Sequence, residues 1–438
     1  MSLWSRAGQL AAQTPPERNR YVDFLRAVSI GAVVYGHWTA MAPYVGDEGE
    51  LVPSHMLAEA PWTRWLTWGI QVMPVFFLVG GFANGISWAA ALRTGKPYAE
   101  WLDGRLRRLV GPVLVLVAFW ALLGVVGRML ALPEALVRVG SQMALIPIWF
   151  LAVYVLVALL VPWTYAAWER FGMGSFWGLV VAAALVDVAF LAADLQLLGW
   201  INYLFVWSAV HQLGYAWRDG RIATPAKALL WAAGGLAALA VLTQLGPYPV
   251  SMVGVPGMEL SNTTPPKVTL IALGCLQGGL MLALQAPLRR WLERLAPWTA
   301  TVLVNGLIMT VFLWHMTAAV LFLGLLHALG DVGLTLQPGS GAWWLTRPIW
   351  LALLTLALLP FVALFARFER PRTSDAPPAP AWRQVLGTLM VCAGLSQLAL
   401  HGVASPTLPG FRIGIVALPF FGAWVLGLWR PRAMRTEP

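Results

Sequence analysis

The sequence predicts an all-α integral membrane protein, a polytopic bundle of about 12 transmembrane helices with both termini in the cytoplasm. Three observations carry this: an apolar, charge-poor composition, a series of apolar runs of spanning length, and basic residues gathered on one side. Hydrophobic residues make up 59% of the 438 positions and charged ones 11%, where soluble domains carry roughly 25% charged. The mean hydropathy of +0.70 agrees. The 25 Trp and 31 Pro fit too, since Trp collects at bilayer interfaces and Pro is tolerated in packed membrane helices. The net charge of +10 does not indicate nucleic acid, because the basic residues are spread among short loops without a stripe of interleaved aromatics.

A spanning helix needs about 20 mostly apolar residues. Such runs fall at roughly 21–43, 67–92, 109–131, 147–168, 174–195, 199–217, 226–246, 268–287, 299–328, 344–366, 383–403 and 411–429, the last short and interrupted by Pro419. With the N-terminus inside, 22 of the 29 Lys and Arg fall in inner segments. Only Arg64, Arg128, Arg138, Lys267, Arg347 and Arg412 fall outside, and Arg26 lies within the first run. That asymmetry is the positive-inside pattern of a plasma-membrane protein.

The organisation expected is a cytoplasmic tail (1–20), a ten-helix core (21–369), a Pro/Ala-rich cytoplasmic linker (370–382), an added helix pair (383–430) and a short cytoplasmic tail (431–438). No apolar core precedes the first run, so no cleavable signal peptide is expected. Cys275 and Cys392 sit in apolar runs without a CxxC or metal-ligand pattern and read as structural thiols. No metal and no permanently bound cofactor is expected.

The first run, "RYVDFLRAVSIGAVVYGHW" (20–38), holds Asp23, Arg26 and His37. Eleven positions separate Arg26 from His37, close to three helical turns, so both project from one face about 16 Å apart. Asp23 precedes Arg26 by three residues on that face and is placed to pair with it. A polar stripe in a membrane helix faces protein or a water-filled cavity, because lipid cannot satisfy it. Arg26 lies toward the cytoplasmic mouth and His37 in the outer half. Imidazole is the side chain best suited to deprotonate a hydroxyl near neutral pH.

These residues resemble the opening helix of the membrane acyltransferase 3 family, whose signature is Arg-x10-His. "PVFFLVGGF" (74–82) is similar to its second-helix element, with Gly80 where Ser is commoner. "RLRRLVGP" (105–112), "IWFLAVYVL" (148–156) and "FLWHM" (312–316) resemble later elements in the same order. The resemblance covers about 21–369. It implies transfer of an acyl group, usually acetyl, from cytoplasmic acyl-CoA to a hydroxyl of an envelope glycan, glycolipid or small molecule. Within that reaction His37 would be the base, and Arg26, Arg105, Arg107 and Arg108 would receive the CoA phosphates by charge-assisted hydrogen bonds. The added helix pair and the absence of a fused hydrolase-like domain depart from some members, which leaves the acceptor open.

His315, about sixteen residues into the ninth run, is a second catalytic or oxyanion-stabilising candidate at a depth similar to His37. Asp187, mid-run in the fifth, is a candidate for orienting a histidine, with pairing for packing as the other reading. His211 lies in the inner half of the sixth run, while His55, His327 and His401 fall in loops or at outer helix ends, where a solvated imidazole is expected. Asn84 and Asn305 read as interhelical hydrogen-bonding amides, and "GGFANG" (80–85) as close helix packing. The rival function is a transporter or flippase of an anionic or lipid-linked substrate. The sequence shows no inverted repeat and no paired broken spans to favour it.

Overall fold

The computed structural model describes residues 3–15, 17–46, 48–369, 377–406 and 410–428. The expected linker (370–382) lies mostly, and the C-terminal tail (431–438) wholly, outside them. Helices account for nearly all of the regular structure. The one sheet among the described residues pairs Tyr44–Val45 antiparallel with Leu51–Val52 in the segment after the first long helix.

Seven described helices are long and apolar enough to cross a membrane, and up to 9 spans result if each of two bent pairs is one crossing. The bent pairs are Glu134–Leu145 with Ile148–Leu159, at 43°, and Val268–Ala283 with Gln285–Trp291, at 51°. Three runs expected to span fall short of that standard, each for a visible reason. Asn202–Arg218 has 17 residues and Ile413–Val425 has 13. Arg20–Ala40 is long enough but carries Arg20, Asp23 and Arg26 in its first two turns. The ninth run is also divided, into Leu295–Asn305 and Ile308–Ala328. Hydropathy fixes where chain is apolar, but short or polar helices enclosed by protein need not match the bilayer thickness.

The chain forms two compact units. The first comprises Met1–Ser87, Trp163–Ile308 and Leu326–Leu351, the second Trp88–Pro162, Met309–Leu325 and Ala352–Pro438. In the first, Met73–Arg93 lies so close to Asn202–Arg218 that a Cβ on Gly81 would overlap the His211 carbonyl and one on Gly214 would overlap the Leu78 carbonyl. Small residues permit that approach in membrane helices, and the buried Asn84–His211 hydrogen bond at 3.1 Å spans the same interface. The "GGFANG" stretch is therefore a packing element.

In the second unit, Phe119 packs edge-on against Trp314 at 5.0 Å, and Trp314 stacks on Phe365 at 3.7 Å. Glu369 accepts from the Met309 and Thr310 amides at 3.0 and 3.1 Å, which places a carboxylate at the positive end of the Ile308–Ala328 helix. The Ala381–His401 helix is tied into this unit: Gln384 donates to the Ala99 carbonyl at 2.9 Å and the Cys392 thiol to Ala152 O at 3.3 Å. Cys392 is buried, whereas Cys275 is partly exposed.

Candidate active site

The Arg20–Ala40 helix begins at Asn19, whose side chain accepts the Val22 amide at 3.3 Å. Asp23 sits in the first turn, where a carboxylate complements the helix dipole. Its base is fixed from several directions. Arg20 donates to the Leu292 carbonyl at 2.9 Å, Tyr21 donates to Met281 O, and the Asn305 amide donates to the Asp23 carbonyl at 2.8 Å. Asn305 also bonds Thr301 O, so its amide is a structural tie.

Asp23 pairs with two guanidiniums, the expected Arg26 and, more closely, Arg18. Arg18, from the segment before the helix, donates its Nε to Asp23 at 2.6 Å, while Arg26 stays 3.7 Å away. Among the described residues no other carboxylate pairs with Arg26, and its side chain remains about one-third exposed, at 32%. The result is a guanidinium loosely held near the N-terminal end of an otherwise well-anchored helix. A planar fork with spare donors suits a phosphate or carboxylate.

Three continuous turns further on lies His37, partly accessible, its carbonyl accepting the Met41 amide at 3.0 Å as the helix closes. The helix is unbroken between them, so the register that puts Arg26 and His37 on one face holds. The C-terminal end of the helix is clamped by the start of the Gly341–Phe365 helix: Trp350 donates to the Trp38 carbonyl at 3.0 Å and Arg347 to the Met41 carbonyl at 3.4 Å.

His55 also belongs to this end. The chain reverses through the two-stranded sheet, Ala42 bonds back to Ser54 at 3.0 Å, and Met41 forms a bridge with His55. That return brings His55 within electrostatic reach of His37. Its Nδ1 accepts the Leu57 amide at 3.2 Å as the N-cap of Met56–Glu59, which leaves Nε2 as the protonated nitrogen. Burial pushes His55 down from the usual 6.5 to about 4, so it is a neutral, largely enclosed imidazole rather than the solvated one its loop position suggests.

The remaining candidates lie in three settings. Asp187 is fully buried and accepts from Asn202 at 2.8 Å, from Tyr248 at 3.1 Å and from the Val268 amide at 2.8 Å, with the Lys267 ammonium 3.7 Å away. It holds the outer 248–268 segment to its helix. Lys267, counted from sequence as an outer loop cation, is itself fully buried, over the Phe190 ring at 3.3 Å.

His315 lies in the second unit, buried, its Nδ1 against the Phe312 carbonyl at 2.7 Å. A carbonyl only accepts, so Nδ1 carries the proton and Nε2 the lone pair, the tautomer of a base. Arg105, Arg107 and Arg108 are also in the second unit. Arg107 is neutralised by Asp103 at 2.7 Å, Arg105 stacks over Trp101 at 3.7 Å, and Arg108 is exposed.

No curated protein and no solved structure matches the chain. A family model described as "Acyltransferase domain", that of the acyltransferase 3 family, matches residues 19–367. The match begins at the Asn19 cap and runs through the stripe, the Trp350–Trp38 clamp, nearly all of the first unit, and the second unit as far as Arg367. Taken with the apolar helices, it makes this chain a member of the acyltransferase 3 family, a multi-pass membrane acyltransferase.

Proposed function

We propose that the protein transfers an acyl group, most simply acetyl, from cytoplasmic acyl-CoA to a hydroxyl of an extracytoplasmic glycan, glycolipid or envelope-linked acceptor at the plasma membrane. The observation that carries the reading is the pairing, on one rigid helix, of a loosely held guanidinium at the inner end with an accessible imidazole at the outer end. Acyl-CoA is here a substrate and not a resident group.

Arg26 binds a phosphate of the donor by charge-assisted hydrogen bonds, and the thioester extends toward His37. An unprotonated ring nitrogen of His37 takes the proton of the acceptor hydroxyl as its oxygen attacks the thioester carbonyl carbon. A C–O bond forms, the C–S bond breaks, and its electron pair leaves with sulfur. The proton on His37 then passes to the thiolate, giving the acyl ester and free CoA.

The test is transfer of label from radiolabelled acetyl-CoA into the envelope fraction of membranes containing the wild-type protein. Wild type is expected to transfer label, and Arg26→Gln to raise the KM for acetyl-CoA by about tenfold, the worth of one charge-assisted contact. Absence of transfer with acetyl-CoA and with longer acyl-CoAs would sink the enzyme reading and leave transport of an anionic or lipid-linked substrate.

A further inference from the structure

The segment after His55 builds a concavity in the first unit. Pro61–Leu66 forms a tight helical turn followed by Thr67–Ile70. This pair rests directly on the first-span helix: a Cβ on Gly36 would sit 2.8 Å from the Ile70 side chain, so the segment leans on the residue next to His37.

On its other flank, the 249–252 backbone is strapped to it. Trp68 donates to Val250 O at 2.8 Å, the Met252 amide to the Thr67 hydroxyl at 2.8 Å, and Gln71 to Met252 O at 3.3 Å. Asn262 holds the same strand from behind, donating to the Pro249 and Ser251 carbonyls at 2.7 and 2.8 Å. Between the two lies a cleft of about 250 Å³ lined by Pro61, Arg64, Trp65, Pro249, Ser251 and Met258.

The lining has a specific chemistry. Arg64 donates its Nε to the Leu57 carbonyl at 2.9 Å, which fixes the guanidinium plane, and among the described residues no carboxylate pairs with it. The terminal nitrogens are thus available as a fork for a carboxylate or phosphate. Trp65, 50% exposed, offers the flat apolar face on which the C–H side of a sugar ring packs. The hydroxyl of Ser251 is already spent on Val253 O, so the charge comes from Arg64 alone. Drug-sized ligands occupy pockets of roughly 300–1,000 Å³, and this smaller one suits a single pyranose.

We infer that this cleft is the acceptor-docking subsite, and that it takes a sugar ring bearing an anionic group, carboxylate or phosphate, with the ring on Trp65 and the anion on Arg64. Its role in acyl transfer rests on the reading given above. The binding chemistry does not.

Saturation-transfer NMR on the full chain in zwitterionic lipid nanodiscs tests it, with methyl glucuronide, glucose 1-phosphate, methyl glucoside and glycerol 3-phosphate as probes. The two anionic sugars are expected to bind about tenfold better than the neutral sugar or the sugarless phosphate. Arg64→Gln should erase the preference for anionic sugars and Arg64→Lys retain part of it. Trp65→Ala, at an exposed position the fold tolerates, should weaken every sugar probe. A response from only one anionic sugar identifies the anion as carboxylate or phosphate.

Equal binding of neutral and anionic sugars, equal binding of glycerol 3-phosphate, or wild-type behaviour of Arg64→Gln and Trp65→Ala would each overturn the proposal. Because no acyl-CoA is present, such a result leaves the transfer reaction standing. Probe binding without label transfer would instead remove the reaction and keep the cleft.

Discussion

Two polar clusters sit in the apolar body of the first unit, and they are built on opposite plans. Around Asp187 every oxygen is used: Asn202, Tyr248, the Val268 amide and Lys267 converge on one fully buried carboxylate. Along the first-span helix the charges are unequally matched. Asp23 is taken closely by Arg18, and Arg26 pairs with it at 3.7 Å while staying one-third exposed, where Lys267 at the same distance from Asp187 is wholly buried. Buried charge costs several kcal/mol per ion unless it is paired and hydrogen-bonded. The Asp187 carboxylate meets that cost within the fold, with Lys267 ion-paired to it but its ammonium lacking a hydrogen bond among the described residues. A cluster with a spare, accessible donor is completed only by something that arrives, which is the signature of a binding site.

His37→Ala puts the sharpest strain on this distinction. Loss of a general base lowers turnover by about 10²–10⁴-fold, here with the helix intact, since its anchors at Tyr21, Asn305 and Trp350 lie elsewhere. The measurement is label transfer at matched expression, with thermal unfolding in detergent as the control. A His37→Ala protein that transfers normally would erase the functional half of the comparison.

Asp187 supplies the other half. Asp187→Ala leaves the Lys267 ammonium buried and uncompensated, for which the expected loss is about 3–5 kcal/mol of stability. Asp187→Asn, which keeps one accepting oxygen, should lose less. If the Asn variant unfolds like wild type yet fails to transfer label, Asp187 works on the reaction and the clusters are not opposites after all. Melting curves and activity read side by side decide it.

The same contrast explains what could be read in the sequence. Spacing within one helix was legible: eleven positions fix Arg26 and His37 on one face whatever surrounds them, and "GGFANG" fixes a close helix contact. The partners of those residues were not legible, because they arrive from distant chain. Asp187 is satisfied by groups 15, 61 and 81 positions away. Arg18, from the segment before the Asn19 cap, reaches Asp23 more closely than the in-helix partner Arg26 does. Hydropathy likewise found the apolar runs but not the division of the ninth run, nor that Asn202–Arg218 is a 17-residue helix buried against neighbours.

His55 tests the boundary between the two plans, since it stands beside His37 yet is saturated as a helix cap. Burial holds it near 4 instead of the usual 6.5, so in that window the unfolded chain binds more protons than the folded one. The stability contributed by neutral His55 is therefore complete above pH 6.5 and is lost as pH falls from there to about 4. His55→Asn keeps an oxygen to cap Leu57 and removes the titration, so its thermal stability should fall less between pH 6.5 and 4.5 than that of wild type. Identical acid profiles would mean that protonated His55 finds solvent without disturbing the cap, and the outer turn would then be looser than its hydrogen bonds imply. A flattened profile with unchanged label transfer at pH 7 places His55 with Asp187, as structure. A flattened profile with an acid limb of the rate shifted as well places it with His37, coupled through the imidazole pair that the Met41–His55 bridge brings together.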